Sequence, residues 1–547
     1  MACLMSAPEE PTIKRETSRL DPQLVLPAPP LLAPPIYVEP PLPPGILATP
    51  VFAGDLNARL IDVVPPADRQ PEDREEHPEP RVRRLWPVRE LAVLAALGVA
   101  VTGIFLGLTW LAALVVLGLL AAAGLTLLAN LPVAVICAMA FFLGAAPGVK
   151  TPGIGISITF VLSMAMWVAL AVMPEVKHRV NWAAGLTATL IGTAFFAFLG
   201  NPVTGASFSD FFRWSVTAAA IYPLSVLPAR YLALVGRWFV YGCTAAAAFG
   251  IVFVAIDRDG SKLNKLTIFG YNADGGNGRF VYGANGNIAR LTSTYVDPNL
   301  GGFLMAVGLI LGLALLRGRR RIISSGLLAV AIALTLGRAD IGSLVVAGVL
   351  LVLFSRLGRR LRVRLLSSGL AGAIGLFAVP AVRTRLSNSF GANDQGSSAR
   401  WDAFRIFPGQ MSGHWLLGRG FGAPELTNAT AAAATNYVAN APLLTVYRGG
   451  VVVGLAFTAL MLTAGLHAWR LLRGSRFETV VVGAGYLGVM LVALQLDFPV
   501  VTLSPATLTF ALLLAFVARP EATADPANEI SEHALSSGDI ELEAAHG

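Results

Sequence analysis

Charge is scarce in this sequence. Only 14% of its 547 residues are Asp, Glu, Lys or Arg, while 55% are hydrophobic, and the mean hydropathy is +0.65. A soluble protein of this length needs far more charge to cover its surface, which excludes the soluble globular classes. Cysteine is nearly missing. Of the three present, Cys137 and Cys243 fall inside apolar blocks and Cys3 lies at the start, excluding a disulfide framework and a cysteine metal cluster. There is no Walker A loop, no Rossmann glycine fingerprint and no metal-ligand spacing, so the sequence requires no nucleotide, cofactor or metal. The first residues do not have the three-part pattern of a signal peptide. The net charge is +8, but the basic residues stand in short clusters between apolar blocks. That arrangement sets membrane topology and speaks against nucleic acid as a partner.

What the chain does have is long apolar runs, several reaching the roughly 20 residues a helix needs to cross the hydrocarbon core. The predicted fold class is an all-α integral membrane protein with about 14 transmembrane helices. Spans are expected near 91–107, 111–129, 131–146, 155–173, 183–200, 213–228, 237–256, 299–316, 322–337, 341–355, 365–381, 443–468, 477–496 and 500–517. Residues 1–85, with PAPPLLAPP at 27–35 and EPPLPPG at 39–45, are expected to be a disordered cytoplasmic tail. Residues 86–518 form the polytopic membrane domain, and 519–547 a second, acidic disordered tail.

The basic clusters test this layout. From a cytoplasmic amino terminus, one side receives Arg81, Arg83, Arg84 and Arg89, then Lys177 and Arg179, then Arg230 and Arg237. The same side receives RGRRR at 317–321, RLGRRLRVR at 356–364, and Arg470, Arg473 and Arg476. Every strong cluster falls on that side, as the positive-inside rule requires. Two long loops, 257–298 and 382–442, fall on the other side. Loops of this length are usually functional.

Four segments there could carry chemistry. RLTSTYVDPN at 290–299 holds Arg290, an outward base that runs against the charge trend. Its Asp297, Pro298 and Asn299 also suit a plain helix start, with Asp297 as the cap. LTLGRAD at 334–340 places Arg338 and Asp340 at the end of a helical hairpin, near hydrocarbon depth. Ionisable groups there are costly and face a partner or a cavity. SSARWDAFRIFPGQMSGHWLLGRGFG at 397–422 offers a short amphipathic helix bearing Arg400 and Arg405, followed by glycine turns. Guanidinium forks suit a diphosphate because they donate paired hydrogen bonds and stay charged. NYVANAPLLTVYRGGVVVG at 436–454 brings Asn440 to the boundary, with Gly449 and Gly450 allowing close helix packing.

In order and spacing these four segments resemble the O-antigen ligase and polymerase family. The matching stretches read RLTSTYVDPN, LGRAD, SSARWDAFR with WLLGRGFG, and ANAPLLTVYRGG. The resemblance implies a GT-C-like membrane glycosyltransferase of the bacterial inner membrane, both termini cytoplasmic, working without metal or nucleotide. Its donor would be an undecaprenyl-diphosphate-linked oligosaccharide, and its acceptor a glycan or lipid. By position, Arg338, Arg400 and Asn440 would be the catalytic residues. Arg290, Asp297, Asn299, Asp340 and Arg405 would bind substrate. One departure is that the family's frequent histidine before the asparagine is Ala439 here. The base is left open among Asp297, Asp340, Asp402, Glu425 and the outer histidine, His414. Two other classes remain: a polysaccharide or lipid transporter, and a non-catalytic scaffold of the same family.

Overall fold

The computed structural model describes residues 131–149, 156–173, 180–257, 261–271, 280–283, 286–378, 383, 404–423, 440–495 and 504–523. The tail 1–85 and the expected spans 91–107 and 111–129 lie outside the described residues. From 131 onward the described part of each expected span is largely helical, but the span expected at 213–228 is divided between two helices. The helices are α1 (Leu131–Ala145), α2 (Ile158–Val172), α3 (Trp182–Leu199), α4 (Gly205–Ala219), α5 (Ile221–Val226) and α6 (Ala229–Ile256). After the first long loop come α7 (Pro298–Leu315), α8 (Gly318–Thr335), α9 (Arg338–Phe354) and α10 (Arg359–Ala378). Then follow α11 (Ala441–Leu472), α12 (Phe477–Gln495) and α13 (Ser504–Ala518).

Their starts are chemically marked. Asn181 accepts from the Ala184 N–H at 2.9 Å to open α3, and Thr204 and Ser207 form a reciprocal capping box on α4. Asp297 followed by Pro298 opens α7, and Asn440 opens α11 with a proline in its first turn.

Among the described residues four helices are long and apolar enough to cross a membrane: α3, α6, α7 and α11. Shorter apolar stretches lie in α1, α2, α12 and α13. The expectation of about 14 spans is therefore met only in part. Arginines occupy the first turns of α8 and α10, and α9 is 17 residues long. Many large apolar side chains face outward, among them Val168, Phe196, Leu455 and Leu466. Exposure on that scale requires an apolar surrounding. The central post is α7, 83% of whose apolar window is buried, against 39% for α3.

Contacts sort the connections into two ends. At one end the Arg356 N–H donates to the Gly474 carbonyl at 3.2 Å, and Arg321 pairs with Glu478 at 3.5 Å. There too, Arg519 donates to the carbonyls of Ser225 and Leu227 at 2.7 and 3.0 Å. These contacts gather the basic loops, hereafter the basic end. A short 3-10 helix, Pro520–Thr523, follows α13. Disorder beginning at 519 is therefore overturned for the first five residues of the tail, because Arg519 ties them to the loop before α6. The opposite end holds the turns after α1 and α3, the 335–338 turn and the described parts of both long loops.

The first of those loops is built. Asp257 accepts from the N–H groups of Lys262 and Leu263, fixing the single turn Ser261–Asn264. Leu263, Tyr271 and Phe253 pack into a small core. A hairpin pairs β1 (Phe280–Gly283) with β2 (Gly286–Ala289) in antiparallel register, Phe280 opposite Ala289.

Candidate functional site

The segment 290–299 leaves β2 and crosses the opposite end before α7 begins. Its backbone is tied to the α8–α9 hairpin by the Leu291 N–H, which donates to the Leu334 carbonyl at 2.8 Å. Three successive side chains then anchor it to neighbouring helices. Ser293 donates to the Ala246 carbonyl of α6, Thr294 to the Ala145 carbonyl of α1, and the Tyr295 hydroxyl to the Gly144 carbonyl at 2.6 Å. Burial, and after it the neighbouring Cys243, pushes the Tyr295 phenol well above its ordinary range. The group stays a donor.

Arg290 is 7% exposed. Its Nε donates to the Thr335 carbonyl at 2.7 Å and its Nη2 to Asn299 Oδ1 at 2.8 Å. A single guanidinium thus joins the end of α8 to the first turn of α7. Asp297 Oδ1 accepts from the N–H groups of Asn299 and Leu300 at 2.6 and 3.1 Å, so the expected cap is present, and Asp297 remains exposed. Arg338 is half-buried at the first position of α9.

Asp340 is different. It is 1% exposed, and neither carboxylate oxygen has a hydrogen-bond partner among the described residues. It is seated against two glycines: a methyl group at Gly302 of α7 or at Gly337 would overlap its carboxylate. Burying a carboxylate without hydrogen bonds is costly.

The backbone is strained at the same place. Among the described residues three non-glycines have positive φ: Ser293 at 53°, Val296 at 67° and Leu336 at 53°. All three lie in the two segments that Arg290 joins. Val296, with ψ −50°, is β-branched, for which this region is a true outlier.

The third and fourth segments are also brought together. In 404–410 a short helix buries Phe407 and, just beyond it, Met411 against Leu444 and Tyr447 of α11, leaving Phe404 and Arg405 exposed. The chain then turns through Gly418, Gly420 and Gly422 at φ 69°, 89° and 79° and docks on α11. The N–H groups of Arg419 and Gly420 donate to the carbonyls of Tyr447 and Arg448 at 2.7 and 3.1 Å, and the Val451 N–H donates to the Trp415 carbonyl at 2.8 Å. Asn201, after α3, closes the other side by donating to the Leu417 carbonyl at 3.0 Å.

Gly450 corrects one expectation. It does not pack helix on helix; at φ 78° and ψ −179° it breaks α11, and a Cβ there would overlap the Leu416 carbonyl. Asn440 caps α11 by accepting from the Leu443 N–H at 3.0 Å. His414 is exposed in the turn. Arg400, Asp402, Glu425 and Ala439 lie outside the described residues.

Sequence reasoning passed over Arg448. It is 5% exposed, inside α11 and two residues before the break. The signal was there: a guanidinium within an otherwise apolar run is expensive unless something holds it.

No protein-family model matches this chain, and no curated protein matches it. The resemblance to O-antigen ligases and polymerases rests on its motifs.

Proposed function

We propose that the chain is a membrane glycosyltransferase of the O-antigen ligase and polymerase type, GT-C-like in fold. It acts on an undecaprenyl-diphosphate-linked glycan at the face opposite the basic loops. The observation that carries this reading is the junction at Arg290. RLTSTYVDPN and LTLGRAD, 35 residues or more apart in sequence, meet through it in a buried, strained cluster at one end of the helices. A plain helix start needs the Asp297 cap; it does not need a buried guanidinium, a slotted carboxylate and three strained residues.

In the reaction, the acceptor sugar hydroxyl attacks the anomeric carbon of the donor. The bond from that carbon to the diphosphate oxygen breaks, the diphosphate keeps the electron pair, and the configuration inverts. Activation was completed on the lipid carrier. The task left to the protein is to stabilise the departing charge, and preorganised cationic donors do this. Arg338 stands at the start of α9, where the helix dipole also favours an anion. Arg290 lies deeper and positions the cluster. Asp297 is the exposed carboxylate here, open to an acceptor proton, whereas Asp340 is shut in.

The test is reconstitution with lipid-linked oligosaccharide. Losing one such donor costs on the order of 10²–10³ in rate, so Arg338→Ala should reduce transfer by that much while membrane insertion is unchanged. Full activity in Arg338→Ala and in Arg400→Ala would refute the assignment. A transporter reading draws on Asp340, since a buried intramembrane carboxylate also marks proton relays. It predicts that lipid-linked glycan crosses the bilayer with no new glycosidic bond.

A further inference from the structure

The basic end carries chemistry beyond topology. Arg319, Arg356, Arg360, Arg364, Arg473 and Arg476 are all exposed there, contributed by three different connections. The 3.2 Å bond from Arg356 to Gly474 and the Arg321–Glu478 pair hold those connections together. Guanidinium groups concentrated this way repel one another unless anions lie between them.

The surface beside them is apolar. Ile322, Ile323, Leu353, Val363 and Leu366 are each more than half exposed. Along α8 and α10, Arg320 precedes Ile323 and Arg360 precedes Val363 by three residues, which is about 4.5 Å of helix rise. A layer of guanidinium groups therefore lies one helical turn from a layer of exposed aliphatic side chains. That pairing matches a phospholipid, phosphate outside and acyl chain beneath.

We propose that the connections 316–321, 355–364 and 473–476 form a binding surface for anionic phospholipid head groups. A second occupant could satisfy the charge alone. The segment 524–547 carries Asp525, Glu529, Glu532, Asp539, Glu541 and Glu543 with no Lys or Arg, and it follows the 3-10 helix after Arg519. It leaves the aliphatic layer unexplained, and the lipid accounts for both layers.

Trp469 reports on this surface: its ring lies 5.0 Å from Phe354 and 5.3 Å from the Arg473 guanidinium. The full chain is placed in phosphatidylcholine nanodiscs doped with brominated phosphatidylglycerol or, in parallel, brominated phosphatidylcholine. Subtracting a Trp469→Phe protein isolates its quenching. The expected result is quenching by phosphatidylglycerol at least about fivefold more effective, the effect of a single arginine near an anionic surface, weakening as salt rises. Replacing Arg319, Arg356, Arg360 and Arg364 together by Gln should remove the preference, and replacing them by Lys should keep it, with helicity unchanged in both. Equal quenching by the two lipids overturns the proposal, as does a preference that survives the Gln replacements. A preference seen only after deleting 524–547 also overturns it, and assigns the surface to that segment.

Discussion

Replacing Gly302 by Ala tests the Asp340 slot directly. The added methyl would overlap the Asp340 carboxylate and stand 3.2 Å from its Cβ. Overpacking of a tight interior costs about 1–3 kcal/mol, and α7 is the most buried of the four long apolar helices, so relaxation there is limited. Asp340→Ala behaves differently. It removes two buried oxygens that have no hydrogen-bond partner among the described residues, returning about 1–3 kcal/mol of desolvation, and loses a similar amount in packing and in the attraction of the buried Arg290 guanidinium. Its net effect should be within about 1 kcal/mol of zero. In the double variant the overlap with the carboxylate is gone, and a 3.2 Å methyl contact needs a shift of only a few tenths of an ångström. The two changes should therefore be non-additive, the double variant recovering at least about 1 kcal/mol. Unfolding in detergent micelles, followed by circular dichroism for the four proteins, measures this. Additivity within about 0.5 kcal/mol refutes the slot.

Two more predictions separate structural from chemical roles. Asp297→Ala should lose about 1 kcal/mol through the cap, and Asp297→Asn only a few tenths; if Asp297 also takes the acceptor proton, Asn should abolish transfer at full stability, which paired melting and transfer assays would resolve. Gly450→Ala should cost at least about 1–2 kcal/mol from positive φ alone and more from the Leu416 overlap, releasing the 412–422 turn to added protease while α11 stays helical; unchanged proteolysis contradicts the docking.

The helices were readable because a long apolar run can be only a few things, and the caps that bound the runs are local. Thr204 with Ser207, Asp297 with Pro298, and Asn440 each act within four residues. The position of Arg338 at the end of a hairpin was readable for the same reason. What local pattern cannot carry is partnership at a distance. Thr294 meets Ala145 across 149 positions, and Asn201 meets Leu417 across 216. Arg290 stood out as an unexpected charge, yet its partners Thr335 and Asn299 could not be named. Gly450 read as a packing glycine because small residues in an apolar run usually are; its positive φ depends on a loop carbonyl contributed from 34 positions earlier. The acidic composition after Pro520 masked the tie that Arg519 makes, since one arginine acting through backbone carbonyls leaves no compositional trace.

The two ends of the molecule are built on different principles. At the basic end most of the charges are exposed, and the connections are joined by a backbone bond, the Arg321–Glu478 pair and the bonds from Arg519 to the Ser225 and Leu227 carbonyls. At the opposite end the polar groups around Arg290, namely Thr292, Ser293, Thr294 and Asp340, are buried, and unfavourable backbone at Ser293, Val296 and Leu336 is held in place. Each such residue costs on the order of 1–3 kcal/mol, so something must over-determine it. Here that is the set of anchors to Ala246, Ala145, Gly144 and Leu334, supplied by α6, α1 and α8. The geometry around Arg290 is thus fixed by helices. The 412–422 turn reaches α11 and the end of α3 by a separate set of bonds. On the proposed function, a cluster held this firmly suits the part of the reaction common to every donor, the diphosphate of the carrier.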